Sequence, residues 1–387
     1  MMAAIRAAER GKQVVLIEKN EKLGKKLYLS GNGRCNLSNN LSEREFVSGF
    51  GKNGNFLLSS LKIFSSAELI DFFEKRGLQT KTEKDGKVYP KSDKARDVVD
   101  FFEKELKKNK VKILINSEAE KVILKNKIIE KIILKDGKEI VADNFLIATG
   151  GKSYPQTGSD GGGYALAKKL GHSIVPPEPA LAPVQTREKW PARIKGVSLK
   201  EVEIGIGKPK GKIGEVLFTH FGISGPLILN LSEKIKPKDI IYIDLFPNKS
   251  HEELEKMLLN LFEKSPKKKL LSLLSEFMPE RMAFIVLELC LINSETISRD
   301  VKRAQRNKLV LNLKKIKLTT VGVLGFEKAM ATRGGVYLKE IDAKNMKSKI
   351  IDNLYFAGEV IDLNGQTGGF NLQMCFTSGY VVGENIL

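Results

Sequence analysis

The sequence is poor in the residues that build metal centres and disulfide frameworks. Its 387 residues include three cysteines and three histidines. Cys35, Cys290 and Cys375 form no CxxC pair. A structural zinc site, a dithiol redox pair and a disulfide scaffold are therefore excluded as organising features, and no metal is expected. Long apolar runs are missing too. The best candidate, Met282 to Ile292, contains Glu288 and is too short to cross a bilayer, so it reads as a core helix. The N-terminus mixes acids with bases around no long apolar centre, which does not read as a signal peptide. There is no internal repeat, coiled-coil heptad or low-complexity tract. The expectation is a cytoplasmic protein with no membrane partner.

Acid is scarce relative to base: 65 Lys and Arg stand against 46 Asp and Glu, a formal charge of +19. One reading is a nucleic-acid partner. The bases, however, scatter along the whole chain between apolar positions. No basic run is interleaved with aromatics, and no helix-turn-helix or RRM signature occurs. The charge reads as solvated lysine faces, and nucleic acid is not the expected partner.

What is present is enough chain for two or three domains, with an ordinary 42% hydrophobic content. The opening, MMAAIRAAERGKQVVLIEKN, reads as a small-residue helix followed by an apolar strand ending on Glu18. Ser65 and Glu68 make a capping box for an amphipathic helix closed by Gly77. Ala95, Val98, Val99, Phe102 and Leu106 keep helical spacing in a second. Asp85-Gly86 and Asp136-Gly137 are hairpin turns. Pro-rich text at 174–185 marks a boundary, and the text from Ser250 to about Leu313 is helical.

Three stretches carry chemistry. In a dinucleotide-binding unit the second strand ends in an acid that accepts hydrogen bonds from ribose hydroxyls; Glu18 is so placed, with Lys19 beside it. That acid normally lies about 20 residues past a glycine fingerprint, which would end at or just before Met1. FLIATGG runs an apolar strand into Thr149, Gly150 and Gly151, where backbone can pass close to a nucleotide. FAGEVIDLNGQTGGFNLQ runs a strand into Gly358 and Glu359, then through Asp362 and a glycine loop into a helix. That helix N-terminus suits a reduced flavin, which carries negative charge.

These motifs, together with Leu29 to Asn36 (LSGNGRCN), Glu215 to Pro226 (EVLFTHFGISGP) and Ala331 to Val336 (ATRGGV), resemble the BaiN/YhiN-like NAD(P)/FAD-dependent oxidoreductases. This family includes aminoacetone oxidase-like members. The resemblance implies an α/β fold: a Rossmann-like FAD-binding domain, its first strand absent from this chain, with an inserted β-rich domain and a helical subdomain. The expected boundaries are 1–175 and 333–387 for the FAD domain, 176–248 and 314–332 for the β-rich domain, and 249–313 for the helices. FAD is the implied cofactor and NAD(P)H the implied co-substrate. The implied cofactor contacts are Glu18 and Lys19; Ser30, Gly31, Asn32, Gly33, Arg34, Cys35 and Asn36; Thr149, Gly150 and Gly151; Gly358, Glu359 and Asp362; and Gly368, Gly369, Phe370, Asn371, Leu372 and Gln373. Glu359 stands where the broader flavoprotein pattern has Asp.

The flavin itself is expected to do the chemistry. Cys35 and His220 are the candidate catalytic side chains, against packing and turn roles. Arg187, Arg193 and Arg333 are candidates for holding an anionic substrate. Gly158–Gly171 imitates a second nucleotide loop but reads as a glycine-rich helix entrance. The expected activity passes hydride from NAD(P)H through flavin to an organic small molecule. The alternatives are an amine oxidase reducing oxygen, an FAD-containing RNA-binding or RNA-modifying protein, and an N-terminally truncated, inactive product. The last carries a physical argument. A missing central strand leaves two sheet edges unpaired, each orphaned buried group costing about 1–3 kcal/mol. The expectation is poor expression or weak FAD binding, restored by about 15 upstream residues that carry a strand and glycine loop.

Overall fold

The computed structural model describes residues 1–386. The chain forms two compact units, residues 1–180 with 326–387, and residues 181–325.

In the first unit, the helix Met2–Glu9 lies against the long C-terminal helix Phe370–Asn385. Ala3, Ala4 and Ala7 are buried, and Gly383 permits the approach: a Cβ there would stand 2.7 Å from the Ala3 carbonyl oxygen. Arg6 closes the contact with an ion pair to Glu384 at 2.5 Å. The acid-tipped strand, Val15–Ile17, pairs in parallel with Lys112–Leu114. The strand of the ATGG stretch, Phe145–Ile147, pairs in parallel with Leu354–Phe356. These are two separate two-stranded sheets. Among the described residues Val15–Ile17 has a strand neighbour on one side only, whereas the other edge of Leu354–Phe356 is bonded to 346–348: the Phe356 N–H donates to the Met346 carbonyl at 3.0 Å and the Ser348 N–H to the Leu354 carbonyl at 2.8 Å.

Both expected hairpin turns form. Thr80–Thr82 pairs with Lys87–Pro90 around Asp85-Gly86, and Ile128–Leu134 pairs with Glu139–Val141 around Asp136-Gly137. Phe72, Phe73, Phe101, Phe102 and Phe376 stack edge-on and face-on in one aromatic core beneath the opening helix. The Ser65 capping box is present, with Glu68 accepting from the Ser65 N–H. The proline-rich stretch is itself a strand, Ile174–Ala180, paired antiparallel to Ala331–Val336. A register shift between Val175 and Glu178 accommodates prolines that cannot donate to a ladder.

The second unit is a closed antiparallel barrel with a helical insertion. Around the barrel run Val184–Thr186, Gly222–Ser224, Lys212–Phe218, Ser198–Ile206, Ile240–Asp244 and Ile316–Val323, the last pairing back to the first. Closure removes free sheet edges. Four helices, His251–Lys264, Leu270–Leu274, Glu280–Leu289 and Arg303–Lys314, stand between the last two barrel strands in sequence. Their buried faces share one core with the barrel, from Ile204 and Phe218 to Leu258 and Val286. Met282 to Ile292 is part of that core, as its length implied. Lys314 ties helices to barrel: its ammonium meets Asp244 at 2.6 Å and donates to the carbonyls of Phe246 and Lys249. Among the described residues no helix is long and apolar enough to cross a membrane.

Candidate functional site

Glycine loops bring sequence-distant polar groups together in the first unit. After the acid-tipped strand, Glu18 turns the chain: its Oε1 accepts from the Asn20 backbone N–H at 2.8 Å and from Asn20 Nδ2 at 2.7 Å. Asn20 also donates to the Thr157 carbonyl, which sets the 154–158 turn beside Glu18. Lys19 pairs with Asp160 at 2.7 Å, at the entrance of the helix Gly162–Lys169. Gly158–Gly171 is thus a helix entrance, as its glycine spacing implied.

A short helix, Lys25–Leu29, then presents Lys26 to Glu359. The Glu359 carboxylate is the hub of this part of the site. It takes Lys26 Nζ at 2.5 Å, the Thr332 N–H at 2.8 Å and Ser153 Oγ at 3.2 Å, with the Gly151 N–H at 3.4 Å. Gly151 must be glycine here, because a Cβ would stand 2.4 Å from Thr332 Oγ1. Thr332 Oγ1 in turn accepts from the N–H groups of Lys152 and Ser153. One carboxylate therefore joins the ATGG turn, the ATRGGV strand and the FAGE turn. Its oxygens are engaged by the protein itself, so its first role is to clamp three loops.

The 30–36 loop is tight and left-handed at Gly31, Asn32, Gly33 and Cys35. Arg34 leaves it to pair with Glu83 and Asp93, its guanidinium 3.9 Å from the centre of the Tyr89 ring. The hydrogen bonds it donates to Glu83, then Asp93, raise its pKa above the ordinary range. Asn36 donates to the carbonyls of Ser38 and Val88 and accepts from the Gly369 N–H at 3.0 Å, with its amide oriented to satisfy all three. This anchors the glycine loop at the start of the C-terminal helix. The N–H groups of Phe370, Asn371 and Leu372 open that helix and have no intrahelical acceptor. Asn371 folds its side chain back onto the Gly365 N–H and carbonyl. Asn39 Nδ2 holds the Gly368 carbonyl, while Asn39 Oδ1 is buried without a partner.

Other expected residues face elsewhere. Thr149 packs against Gly163, where a Cβ would stand 1.9 Å from its Oγ1. Phe370 stacks on Phe46 at 4.8 Å. Leu372 borders the aromatic core. Gln373 is fully buried and donates to the Ser65 carbonyl and Thr377 Oγ1. Asp362 is half-buried, and desolvation pushes its pKa up. Cys35 has no exposure, and burial pushes its thiol up to about 12, so it stays protonated at neutral pH. His220 is exposed in the turn between Lys212–Phe218 and Gly222–Ser224. Arg333 pairs with Glu178, and Arg193 with Glu288 at 2.7 Å.

Sequence reasoning passed over Lys26, Ser153, Thr332 and Asn39. Lys26 sits in lysine-rich text that reads as solvated surface. Thr332 lies inside the ATRGGV motif and Ser153 two residues beyond ATGG, so both were within reach of the motif reading.

The chain matches the family model described as HI0933-like protein Rossmann domain over residues 1–385. It belongs to this family. Members related to it include the 3-dehydro-bile acid delta(4,6)-reductase of Clostridium scindens, 33% identical over 99% of this chain and 95% of its own length. The ribosomal RNA dihydrouridine synthase of Haemophilus influenzae is 30% identical over 100% of this chain and 95% of its own. Among solved structures, a 3-ketosteroid-delta4-(5alpha)-dehydrogenase from Rhodococcus jostii RHA1 shares the fold, with TM-score 0.55 and 14% identity over 99% of this chain and 93% of that one. This HI0933-like protein is a flavin-dependent oxidoreductase with a Rossmann-type FAD-binding fold. Its polar loops fit FAD. Three helix N–H groups suit an anion. The loop at Gly368 presents no Cβ, and the unpartnered Asn39 oxygen beside it suits a ligand N–H.

Proposed function

We propose that this HI0933-like protein uses NAD(P)H to reduce a carbon–carbon double bond conjugated to a carbonyl in an organic acceptor. The observation that supports the reading is the polar loop cluster in which Glu359 joins three motif loops and Asn36 is bonded to the Gly369 N–H. Support for the acceptor class comes from the two relatives' names. A delta(4,6)-reductase and a dihydrouridine synthase both saturate carbon–carbon double bonds, and a steroid enone and a uracil ring share the conjugated carbonyl. FAD, when bound, supplies hydride transfer; the protein positions it and tunes its charge.

The chain's own residues then have distinct duties. Glu18, whose Oε1 is held by Asn20, would accept from ribose hydroxyls through Oε2. The N–H groups of Phe370, Asn371 and Leu372 would hold the flavin and favour the negative charge it gains on reduction. Gly31, Gly33 and Gly368 let backbone lie flat against a ring system. Lys26 holds Glu359 in place, and so holds the ATGG turn that would pass the nucleotide.

Anaerobic stopped-flow absorbance tests the proposal. NADH or NADPH should bleach the flavin, and an enone or a uridine-containing substrate should restore the colour. Reduction by an amine with peroxide release, and none by NAD(P)H, would instead establish an amine oxidase.

A further inference from the structure

We propose that one end of the barrel in residues 181–325 binds the phosphodiester backbone of a nucleic acid. The sequence contains Lys-Pro-Lys twice, at Lys208-Pro209-Lys210 and Lys236-Pro237-Lys238. Neither triplet is conspicuous in so basic a chain. The fold places them together. The first lies in the hairpin between Ser198–Ile206 and Lys212–Phe218, and the second immediately precedes Ile240–Asp244. Ser198–Ile206 and Ile240–Asp244 are antiparallel neighbours, with Ile206 opposite Ile241. The end of one strand therefore meets the start of the other, and the Gly207 N–H donates across to the Ile240 carbonyl at 2.8 Å. Lys208, Lys210, Lys212, Lys236 and Lys238 share this end of the barrel, all exposed.

Both turns are held in place. The hairpin folds back on its own strands: a Cβ on Gly205 would stand 1.9 Å from the Lys208 carbonyl oxygen, and one on Gly211 would stand 1.7 Å from that of Ile204. The second turn is bonded to the neighbouring strand. The Lys238 N–H donates to the Thr320 carbonyl at 2.9 Å, and Thr320 Oγ1 donates to the Lys236 carbonyl at 2.6 Å.

Asp239 and Glu203 at this end offset part of the charge but, among the described residues, form no ion pair with the five lysines. Asp239 accepts from the Lys236 backbone N–H and Glu203 from the Gly211 N–H, each serving the turn itself. Elsewhere in the unit ion pairs are common, including Arg193–Glu288, Lys268–Glu276, Lys269–Glu295, Arg306–Glu255 and Lys314–Asp244. Among the described residues none involves the five lysines. Like charges fixed side by side repel, and a polyanion relieves that repulsion while releasing its own counterions. No aromatic side chain stands on either turn to stack a base or enter a bilayer, so the chemistry matches backbone phosphates. The inference is independent of which double bond the flavin reduces, because it concerns binding alone.

Fluorescence anisotropy of the full chain with a labelled single-stranded RNA, an RNA hairpin and a DNA of matched length tests it. Four of the lysines are replaced in K208Q/K210Q/K236Q/K238Q. The control, K104Q/K107Q/K168Q/K169Q, removes the same charge from exposed positions in the other unit. The parent should bind RNA or DNA with a steep salt dependence. The barrel variant should lower the slope of log affinity against log salt by about 3–4, at roughly 0.7–0.9 for each phosphate no longer neutralised. The control should keep most of the slope, and circular dichroism should show both variants folded. Binding to RNA and not DNA would identify the source of the backbone as RNA and support the site. Equal losses in both variants, salt-insensitive binding, or binding to anionic vesicles without nucleic-acid binding would each overturn the proposal. None of these outcomes depends on turnover, so failure here leaves the reductase reading to its own test.

Discussion

Replacing Glu359 with alanine removes the carboxylate on which three loops converge. Lys26 Nζ would keep only Ser153 Oγ at 2.7 Å, and the N–H of Thr332, a residue with no exposure, would lose its acceptor. Side-chain exposures of 28% for Lys26 and 11% for Glu359 make the ion pair partly screened. Such a pair contributes about 1–3 kcal/mol, and the orphaned buried N–H costs about 1–3 kcal/mol. The Gly151 contact at 3.4 Å is long enough to neglect. The sum, about 2–6 kcal/mol, corresponds to a fall of about 4–24 °C in the melting temperature of a unit this size. Glu359→Gln keeps an oxygen for the Thr332 N–H and loses only the charge, so it should cost about half as much. Differential scanning calorimetry should show this fall in the transition of the unit that contains Glu359. A Glu359→Ala protein melting within about 2 °C of the parent, on the same scale, would refute the clamp. So would equal losses for Ala and Gln.

Further expectations rest on other parts of the structure. Gly369 has φ +97°, and a Cβ there would stand 2.1 Å from the Ser38 carbonyl oxygen; Gly369→Ala should cost about 3 kcal/mol or more and reduce FAD retained after gel filtration, and unchanged retention would contradict the placement of the helix start. Lys314 and Asp244 are 9% and 11% exposed, so Lys314→Met should destabilise the barrel unit by about 3–5 kcal/mol in urea, while Asp244→Leu with Lys314→Met recovers much of it. Burial lowers the pKa of His172 below its ordinary 6.5, the charge of Glu340 opposing it weakly. The folded ring is neutral while the unfolded one takes a proton, so stability should be full above pH 6.5 and fall as pH drops towards the folded value. His172→Gln should flatten that slope in denaturation midpoints. Cys35, buried and neutral, should resist iodoacetamide in the native protein and react on unfolding, and stoichiometric native labelling seen by intact mass would contradict its burial.

Local features were legible where a short stretch contains its own cause. The Ser65 capping box and both Asp-Gly hairpins need only neighbours a few residues away, and all three form. The family motifs were legible because they are long. Residues whose role depends on a distant partner were not. Lys26 is one lysine among many until the fold brings it to Glu359, 333 positions later. Gln373 lies in the motif text, yet helical rotation aims it at Ser65 in the core. The prolines of 174–185 read as a boundary, and only the fold shows that a bulge lets Ile174–Ala180 also pair as a strand with Ala331–Val336.

By itself, the sequence determined the family and the α/β flavoprotein fold. Glycine, acid and small-residue positions in long motifs admit few other chemistries. It also determined the net charge, but as a number without a place. Tertiary structure alone decided which carboxylate clamps the loops and where unpaired lysines gather. Hydrogen bonds and charge repulsion act over a few ångströms of space, and only the folded chain brings Lys26 to Glu359 or the two Lys-Pro-Lys turns to one end of a barrel.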